Sequence, residues 1–308
     1  MEDRLRHIFV LLALLVFAGA QETALVKQKV LWQKLEASIA EVDRNLDGVM
    51  GVAIEDLTTG QKYQLRESEV FPQASSIKIA ILAELYRQAQ QGKLKLTDVY
   101  KVRASDLVAD SRIMHGLTPG VTQLTLRDLA AMVSAVSDNS AANILIDRVG
   151  MENVNSLLDS LGLTNTRLRR KMMDLKAASE GRENISTPSD MTTLLESIYR
   201  GRVLNKTLAE DFFNILSVRK NSWIPRDLPE DLKVADKEGE LEGVRTNSGI
   251  VFLDQRPYIL CIMTTYLRRE RDGEEAISKI SLDAYRMFDR LARASEYGRV
   301  ISPSNSSK

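Results

Sequence analysis

Three short stretches of the chain hold residue types that together can break an amide: Ser75-Ser76-Ile77-Lys78, Ser137-Asp138-Asn139 and Lys237-Glu238-Gly239. A serine followed by a lysine at (i, i+3) shares one helix face with it, so an unprotonated Lys78 can take the Ser75 hydroxyl proton. Ser137 supplies a second hydroxyl that can pass the proton toward a leaving group. The Asn139 amide can orient Lys78 and hold a substrate carbonyl, and Lys237 offers a cation to an anionic substrate. The serine–lysine pair alone carries little information, because both residues are common. Ser217-x-x-Lys220 is a second match of this kind and reads as a coincidence. The order and spacing of all three stretches carry the reading.

Composition removes rival chemistries. The 308 residues include two histidines, His7 and His115, so a multi-histidine zinc site is out of reach and a Ser-His-Asp triad would rest on His115 alone. His115 lies in the loop-like stretch Met114-His-Gly-Leu-Thr-Pro-Gly120 and is expected at the surface or on a pocket lip. The single cysteine, Cys261, falls inside the apolar run Tyr258–Met263, where packing is its expected role and no intramolecular disulfide can form. No metal and no cofactor are expected. With 42 acidic and 42 basic side chains and no basic tract, the chain lacks the charge footprint of a nucleic-acid or anionic-membrane binder. Small molecules or peptides are the expected partners, and a monomer the expected state.

Arg4 and Arg6, an apolar run from Ile8 to Phe17 and Ala18-Gly19-Ala20 ahead of Gln21 have the layout of a cleaved export signal (1–20). It predicts a periplasmic or secreted protein without a membrane span in its mature form. The remainder has an ordinary globular composition, 44% hydrophobic over the whole chain.

The elements that must position the reactive groups follow from periodicity. Trp32–Arg44 reads as an amphipathic helix, and Val49–Glu55 and Lys62–Leu65 as strands joined by the turn Thr58-Thr59-Gly60. Ser76–Gln90 is apolar on most sides, the pattern of a helix buried all round. Ser75 then stands at the N-terminus of a central helix whose free amides point at a developing oxyanion. A capping box, Thr125-x-x-Asp128, opens a helix to Val136, and Ser140–Val149 and Asn153–Leu161 continue the helical middle. Thr187-Pro188-Ser189-Asp190 caps a further helix running to Arg200. Lys233–Lys237, Val244–Leu253 and Tyr258–Tyr266 return to strand, and Glu274–Ala294 closes as an amphipathic helix. Strands at both ends of a helical insert predict an α+β protein (an α/β sandwich) with an antiparallel sheet flanked by terminal helices. Residues 21–75 and 215–300 would form that part and 76–214 an inserted all-helical domain, with a cleft between them and a disordered polar tail at 301–308.

In this order the three stretches resemble the motifs of class A β-lactamases and penicillin-binding proteins, S-x-x-K, S-D-N and K-T-G. The setting is similar too. Phe71-Pro-Gln-Ala-Ser75-Ser-Ile-Lys78 resembles the family's nucleophile helix entry, Leu124–Gly150 its helix, S-D-N loop and following helix, and the likeness runs over residues 35–295. The resemblance implies a class A β-lactamase-like fold and a secreted serine acyl-hydrolase that forms an acyl-enzyme at Ser75 and hydrolyses a β-lactam or related amide. It makes Lys78 the base, Ser137 the relay, Asn139 and Lys237 substrate contacts, the Glu240 main-chain amide the second oxyanion donor, and Asp138 an inward structural residue. A D-Ala-D-Ala peptidase or esterase shares Ser75, Lys78 and Ser137, and so does a penicillin- or peptidoglycan-binding protein that acylates without turnover.

Two positions depart from the family's pattern. Glu238 stands where the K-T-G hydroxyl would bond a substrate carboxylate, and it repels such a group unless Arg245 pairs with Glu238 or with the substrate. Alternatively, Glu238 turns outward to solvent. Met172 falls where the family's loop carries the glutamate that activates the deacylating water, in a segment running from Thr166 to Thr187-Pro188. A thioether takes no proton, and a missing general base costs about 10²–10⁴-fold. Asp174, Glu180 or Glu183 could replace it only by a changed loop path; otherwise Lys78 would have to serve both half-reactions. The E-x-x-x-N spacing of Glu180 and Asn184 is read as coincidence.

Overall fold

Strand β9 (Tyr258–Thr265) divides two cores, because its side chains alternate between the faces of the sheet. Tyr258, Leu260 and Ile262 enter one apolar cluster, while Ile259, Cys261 and Met263 enter the other. The computed structural model describes residues 26–295 and 297–300; the export signal and the polar tail expected from sequence lie outside them. A five-stranded antiparallel sheet runs in the order β2 (Lys62–Leu65), β1 (Val49–Asp56), β9, β8 (Val244–Val251), β7 (Val234–Leu241). β1 and β9 pair along their whole length, with Val49 opposite Thr265 and Asp56 opposite Tyr258. Among the described residues, β7 forms one edge of this sheet.

Helices α1 (26–45) and α9 (Glu270–Ala292) cover one face. Trp32, Leu35 and Ile39, spaced to share a helix face, join Ile277, Ile280, Ala284 and Phe288 against Met50, Val52 and Ile54. Tyr258 stacks on Phe288 with ring centroids 4.1 Å apart, and Trp32 meets Phe288 edge-on at 5.6 Å. Such pairs contribute about 0.5–1.5 kcal/mol beyond their buried area.

The other face carries α2 (Lys78–Gln90), α3 (Leu126–Ala135), α4 (Asn139–Val149), α5 (Met151–Ser160), α6 (Leu175–Ser179), α7 (Pro188–Tyr199) and α8 (Lys206–Leu216). α2 is buried on every side because α3, α4, α5 and α8 surround it. α3 starts in the capping box: Thr125 Oγ1 accepts from the Asp128 N–H, and Asp128 accepts from the Thr125 N–H. Some elements of this region were not among those expected from sequence, although α8 keeps a helical period. α8 begins at an Asn205 cap and buries Ala209, Phe212, Phe213, Ile215 and Leu216. The ribbon of β4 (Val99–Lys101) and β5 (Gln123–Thr125), and the pairing of β3 (Phe71–Pro72) with β6 (Ile185–Ser186), are too short for a two-residue period to register. The β3–β6 pairing, together with the Gln73 N–H donating to the Asn184 carbonyl, brings the chain just ahead of Ser75 against the end of the Met172 loop. Among the described residues, no helix is long and apolar enough to cross a membrane.

Candidate active site

Ser75 occupies a single 3-10 turn, Ala74–Ile77, that runs into α2, so the serine lies in a tighter turn than the α-helical start the sequence suggests. The turn is entered through Ala74 in the left-handed region (φ +48°), which costs a non-glycine residue about 1–2 kcal/mol. Its surroundings hold it there. Ser76 Oγ donates to the Lys237 carbonyl at 2.9 Å and lies 2.8 Å from Thr246 Oγ1, and Thr246 Oγ1 donates to the Gln73 carbonyl at 3.1 Å. Gly239 permits this approach, since a Cβ there would lie 2.5 Å from the Gln73 carbonyl oxygen.

Lys78 is fully buried, and its Nζ joins Ser75 of the first motif to Ser137 and Asn139 of the second. It lies 3.0 Å from Ser75 Oγ and 3.1 Å from Ser137 Oγ, and it donates to the Ser137 carbonyl (2.7 Å) and to Asn139 Oδ1 (2.8 Å). Burial, and after it the charge of Lys237, push the Lys78 pKa well below the ordinary lysine range, against the pull of Glu238, Asp138 and Asp110. A neutral amine has two N–H donors and one lone pair. The Ser137 carbonyl and Asn139 Oδ1 can only accept, so they claim the donors and leave the lone pair for a hydroxyl.

Ser137 takes a left-handed conformation (φ +58°) between α3 and α4. Behind it, buried Asp138 accepts from the Ala141 N–H at the start of α4 and from the Ile113 and Met114 N–H groups. Asn139 Nδ2 donates to the Asp110 carbonyl at 3.1 Å. The 110–114 segment is thereby fastened to the Ser137 turn.

On β7, Lys237 is fully buried, and its Nζ donates to Glu238 Oε1 (2.7 Å) and to the Glu238 carbonyl (3.0 Å). Burial opposes ionisation of Glu238, but the charge and hydrogen bond of Lys237 outweigh it and hold the carboxyl below the usual carboxylate range. Glu238 therefore faces inward over Lys237, and the outward alternative is corrected. Its second oxygen, Oε2, is buried and has no hydrogen-bond partner among the described residues. The expected pairing of Arg245 with Glu238 is corrected as well. Its guanidinium bonds Glu274 (2.9 Å) and the Leu241 and Val244 carbonyls over the Trp223 ring, because α9 offers it a nearer carboxylate than β7 does.

These motifs open on a cleft of ≈ 380 Å³ whose lining includes Ser75, Ser137, Asn139, Glu238 and Glu240, with exposed Arg112 and Arg219 at its rim. A larger cavity of ≈ 640 Å³ adjoins it and shares Arg219, Lys220 and Asn221, but Ser75, Lys78 and Ser137 are not in its walls. Lys220, met in sequence only in the Ser217-x-x-Lys220 match read as coincidence, also lines the cleft. Its Nζ lies 3.3 Å from Asp236 Oδ1 and donates to the Leu216 carbonyl, whereas Ser217 Oγ donates to the Phe213 carbonyl. His115 is exposed, with Nε2 2.9 Å from the Val108 carbonyl oxygen, and Cys261 is buried, its thiol pushed up to about 11.

Met172 is 6% exposed and packs with the helical core. Asn143 of α4 grips its main chain, accepting from the Met172 N–H (2.8 Å) and donating to its carbonyl (3.0 Å). Asn143 was not legible as a site residue; its only signal is its place one helical turn after Asn139. The carboxylates considered as substitutes are engaged elsewhere. Asp174 caps α6, Glu180 pairs with Arg182 and Glu183 with Arg170, and none of the three lines the cleft.

The profile of the β-lactamase enzyme family matches residues 33–288, and the chain belongs to that family. It is 29% identical over 251 residues to β-lactamase SME-1 of Serratia marcescens, covering 79% of this chain and 84% of that protein. It is 27% identical over 257 residues to the imipenem-hydrolyzing β-lactamase of Enterobacter cloacae, covering 80% and 87%. The β-lactamase of Sphaerobacter thermophilus DSM 20745 superposes with a TM-score of 0.77 at 29% identity, over 84% of this chain and 97% of that one. The α+β fold is thus that of the class A β-lactamases, and the chain is an enzyme, a β-lactamase-like serine hydrolase.

Proposed function

We propose that this enzyme is an exported acyl-hydrolase that opens an amide or β-lactam carbonyl through an ester on Ser75. The observation that carries the reading is the 3.0 Å contact between Ser75 Oγ and the Nζ of a buried Lys78 whose pKa is strongly depressed. Neutral Lys78 takes the hydroxyl proton as Ser75 Oγ bonds to the substrate carbonyl carbon. The main-chain amides of Ser75 and Glu240 hold the oxyanion. The proton then passes through Ser137 Oγ to the departing nitrogen as the carbon–nitrogen bond breaks. Asn139, already bonded to Lys78, contributes its remaining amide N–H to the substrate. Water hydrolyses the ester to a carboxylic acid and restores the Ser75 hydroxyl.

The second half-reaction is the slow one. Met172 takes no proton, and Asp174, Glu180 and Glu183 are tied to other partners, which leaves Lys78 to activate the water. This favours a long-lived acyl-enzyme, the behaviour of a peptidase, an esterase or a penicillin-binding protein, over rapid β-lactam turnover. Export is supported by the arginines and apolar run ahead of Ala18-Gly19-Ala20. Nitrocefin hydrolysis followed beside retention of a fluorescent penicillin in a denaturing gel tests this reading. A retained label with slow hydrolysis is expected; rapid hydrolysis with no retained label contradicts slow deacylation, and failure of both, together with no ester turnover and no adduct from a neutral penicillin amide, refutes acylation.

A further inference from the structure

The cleft beside Ser75 carries a charge arrangement unsuited to a substrate carboxylate. Lys237, the buried cation nearest this point of β7, spends its ammonium on Glu238 Oε1 and on the Glu238 carbonyl, and Glu238 rather than Lys237 forms the cleft wall. The side chains of Lys237 and Glu238 are 0% and 12% exposed, so this pair is screened little by water. Lys220 is likewise matched, by Asp236, with both side chains nearly buried. Arg245 is held by Glu274. The cations that remain, Arg112 and Arg219, are exposed at the rim, and Arg219 already pairs with Glu230. Glu240 and Asp110, exposed like the two arginines, add acidic residues to the lining. Glu238 lines the cleft, and its Oε2 is buried and has no hydrogen-bond partner among the described residues. A buried, ionised oxygen without a donor is costly, and a donor arriving from a ligand relieves that cost.

We infer that the cleft takes acyl substrates that present a hydrogen-bond donor, a primary carboxamide or a protonated amine, to Glu238 next to the scissile amide, and disfavours those that present a carboxylate there. This rests on the proposed acylation of Ser75 and names the substrate class of that reaction. Glu238 contributes in two ways: its charge repels an anion, and Oε2 accepts from the donor. A carboxamide and an ammonium share the second contribution, so the two are separated by experiment.

The test is single-turnover acylation of the full chain, followed by intact mass and peptide mapping, with four penicillins that differ only at the ring carboxyl: the free acid, the primary amide, the N,N-dimethylamide and the 2-aminoethyl amide. The primary amide is expected to acylate Ser75 at least about tenfold faster than the acid, the scale of one hydrogen bond to a charged group. It should also outpace the dimethylamide, which is neutral but cannot donate. A further gain for the aminoethyl amide assigns the natural donor as a cation, and parity with the primary amide assigns it as a carboxamide. Glu238→Gln, which keeps an oxygen for Lys237, and Glu238→Thr should both reverse the order of acid and amide, with folding checked by melting. An acid that acylates as fast as the amide, or an order unchanged in both variants, overturns the inference while leaving the acyl-enzyme intact. No adduct on Ser75 from any probe overturns the acyl-enzyme reading and the inference with it.

Discussion

Asn143 grips the main chain of Met172 by two hydrogen bonds, one in each direction, and so ties the loop to the helix that also presents Asn139 to Lys78. Asn139 and Asn143 stand one turn apart on the same face of α4. On the proposed reading Met172 stands at the place of a general base, but the side chain there is apolar, packs in the helical core and is not among the residues lining the cleft.

Met172→Glu should therefore accelerate decay of the acyl-enzyme by at least about tenfold, the lower part of what a general base contributes. It should also lower stability by about 1–3 kcal/mol, because a carboxylate replaces a thioether packed in the core. The decay of a penicilloyl adduct, followed by mass after removal of free drug, and a thermal melt measure the two effects. A folded variant with an unchanged decay rate would mean that this position does not reach the ester.

On the proposed mechanism, the protonation of Lys78 sets the pH profile of acylation. The neutral amine is the active form, so the rate should rise with pH through an apparent pKa well below the ordinary lysine value of about 10.4. Lys237 depresses that pKa and Glu238 raises it, so their removal acts in opposite directions. Lys237→Met should move the rising limb to higher pH, and Glu238→Gln should move it to lower pH. Acylation rates with a neutral amide probe across the pH range test this, and limbs that shift the same way would refute the assignment of the titrating group.

Gly239 is required for space, not for an unusual backbone angle. A methyl group there would meet Gln73 O and Thr246 Oγ1 at 2.5 Å and Ser76 N at 3.0 Å, and two of these are main-chain atoms that cannot rotate away. Gly239→Ala should push β7 off the Ser75 turn, costing about 1–3 kcal/mol of stability. Acylation should fall further than the melting temperature alone explains, because the oxyanion amides separate. An alanine variant that acylates at the parental rate would contradict this account of the junction.

The sheet, its flanking helices and the helical middle were legible because long elements keep their period, as Ser76–Gln90 and Tyr258–Tyr266 do. The meeting of Ser75, Lys78 and the Ser137 turn was legible because three motifs in fixed order leave few alternatives. The partners of Glu238 and Arg245 were not. Each had more than one oppositely charged group within reach in principle, and only the packing of α9 on β8 decides that Arg245 meets Glu274. Asn143 and Lys220 were hidden for a related reason: their roles depend on which loop or strand folds beside them, and no local pattern records that.

The central claim is that Ser75 is acylated and that Lys78 supplies the base. The most direct measurement is peptide mapping of the adduct formed with a neutral penicillin amide, together with its rate of formation in the parent, Ser75→Ala, Lys78→Ala and His115→Ala. The account predicts an adduct on the peptide containing Ser75, none in Ser75→Ala, a rate at least about 10²-fold lower in Lys78→Ala, and a rate close to the parent in His115→Ala. An adduct on the peptide containing Ser217, or equal losses in the lysine and histidine variants, would contradict it.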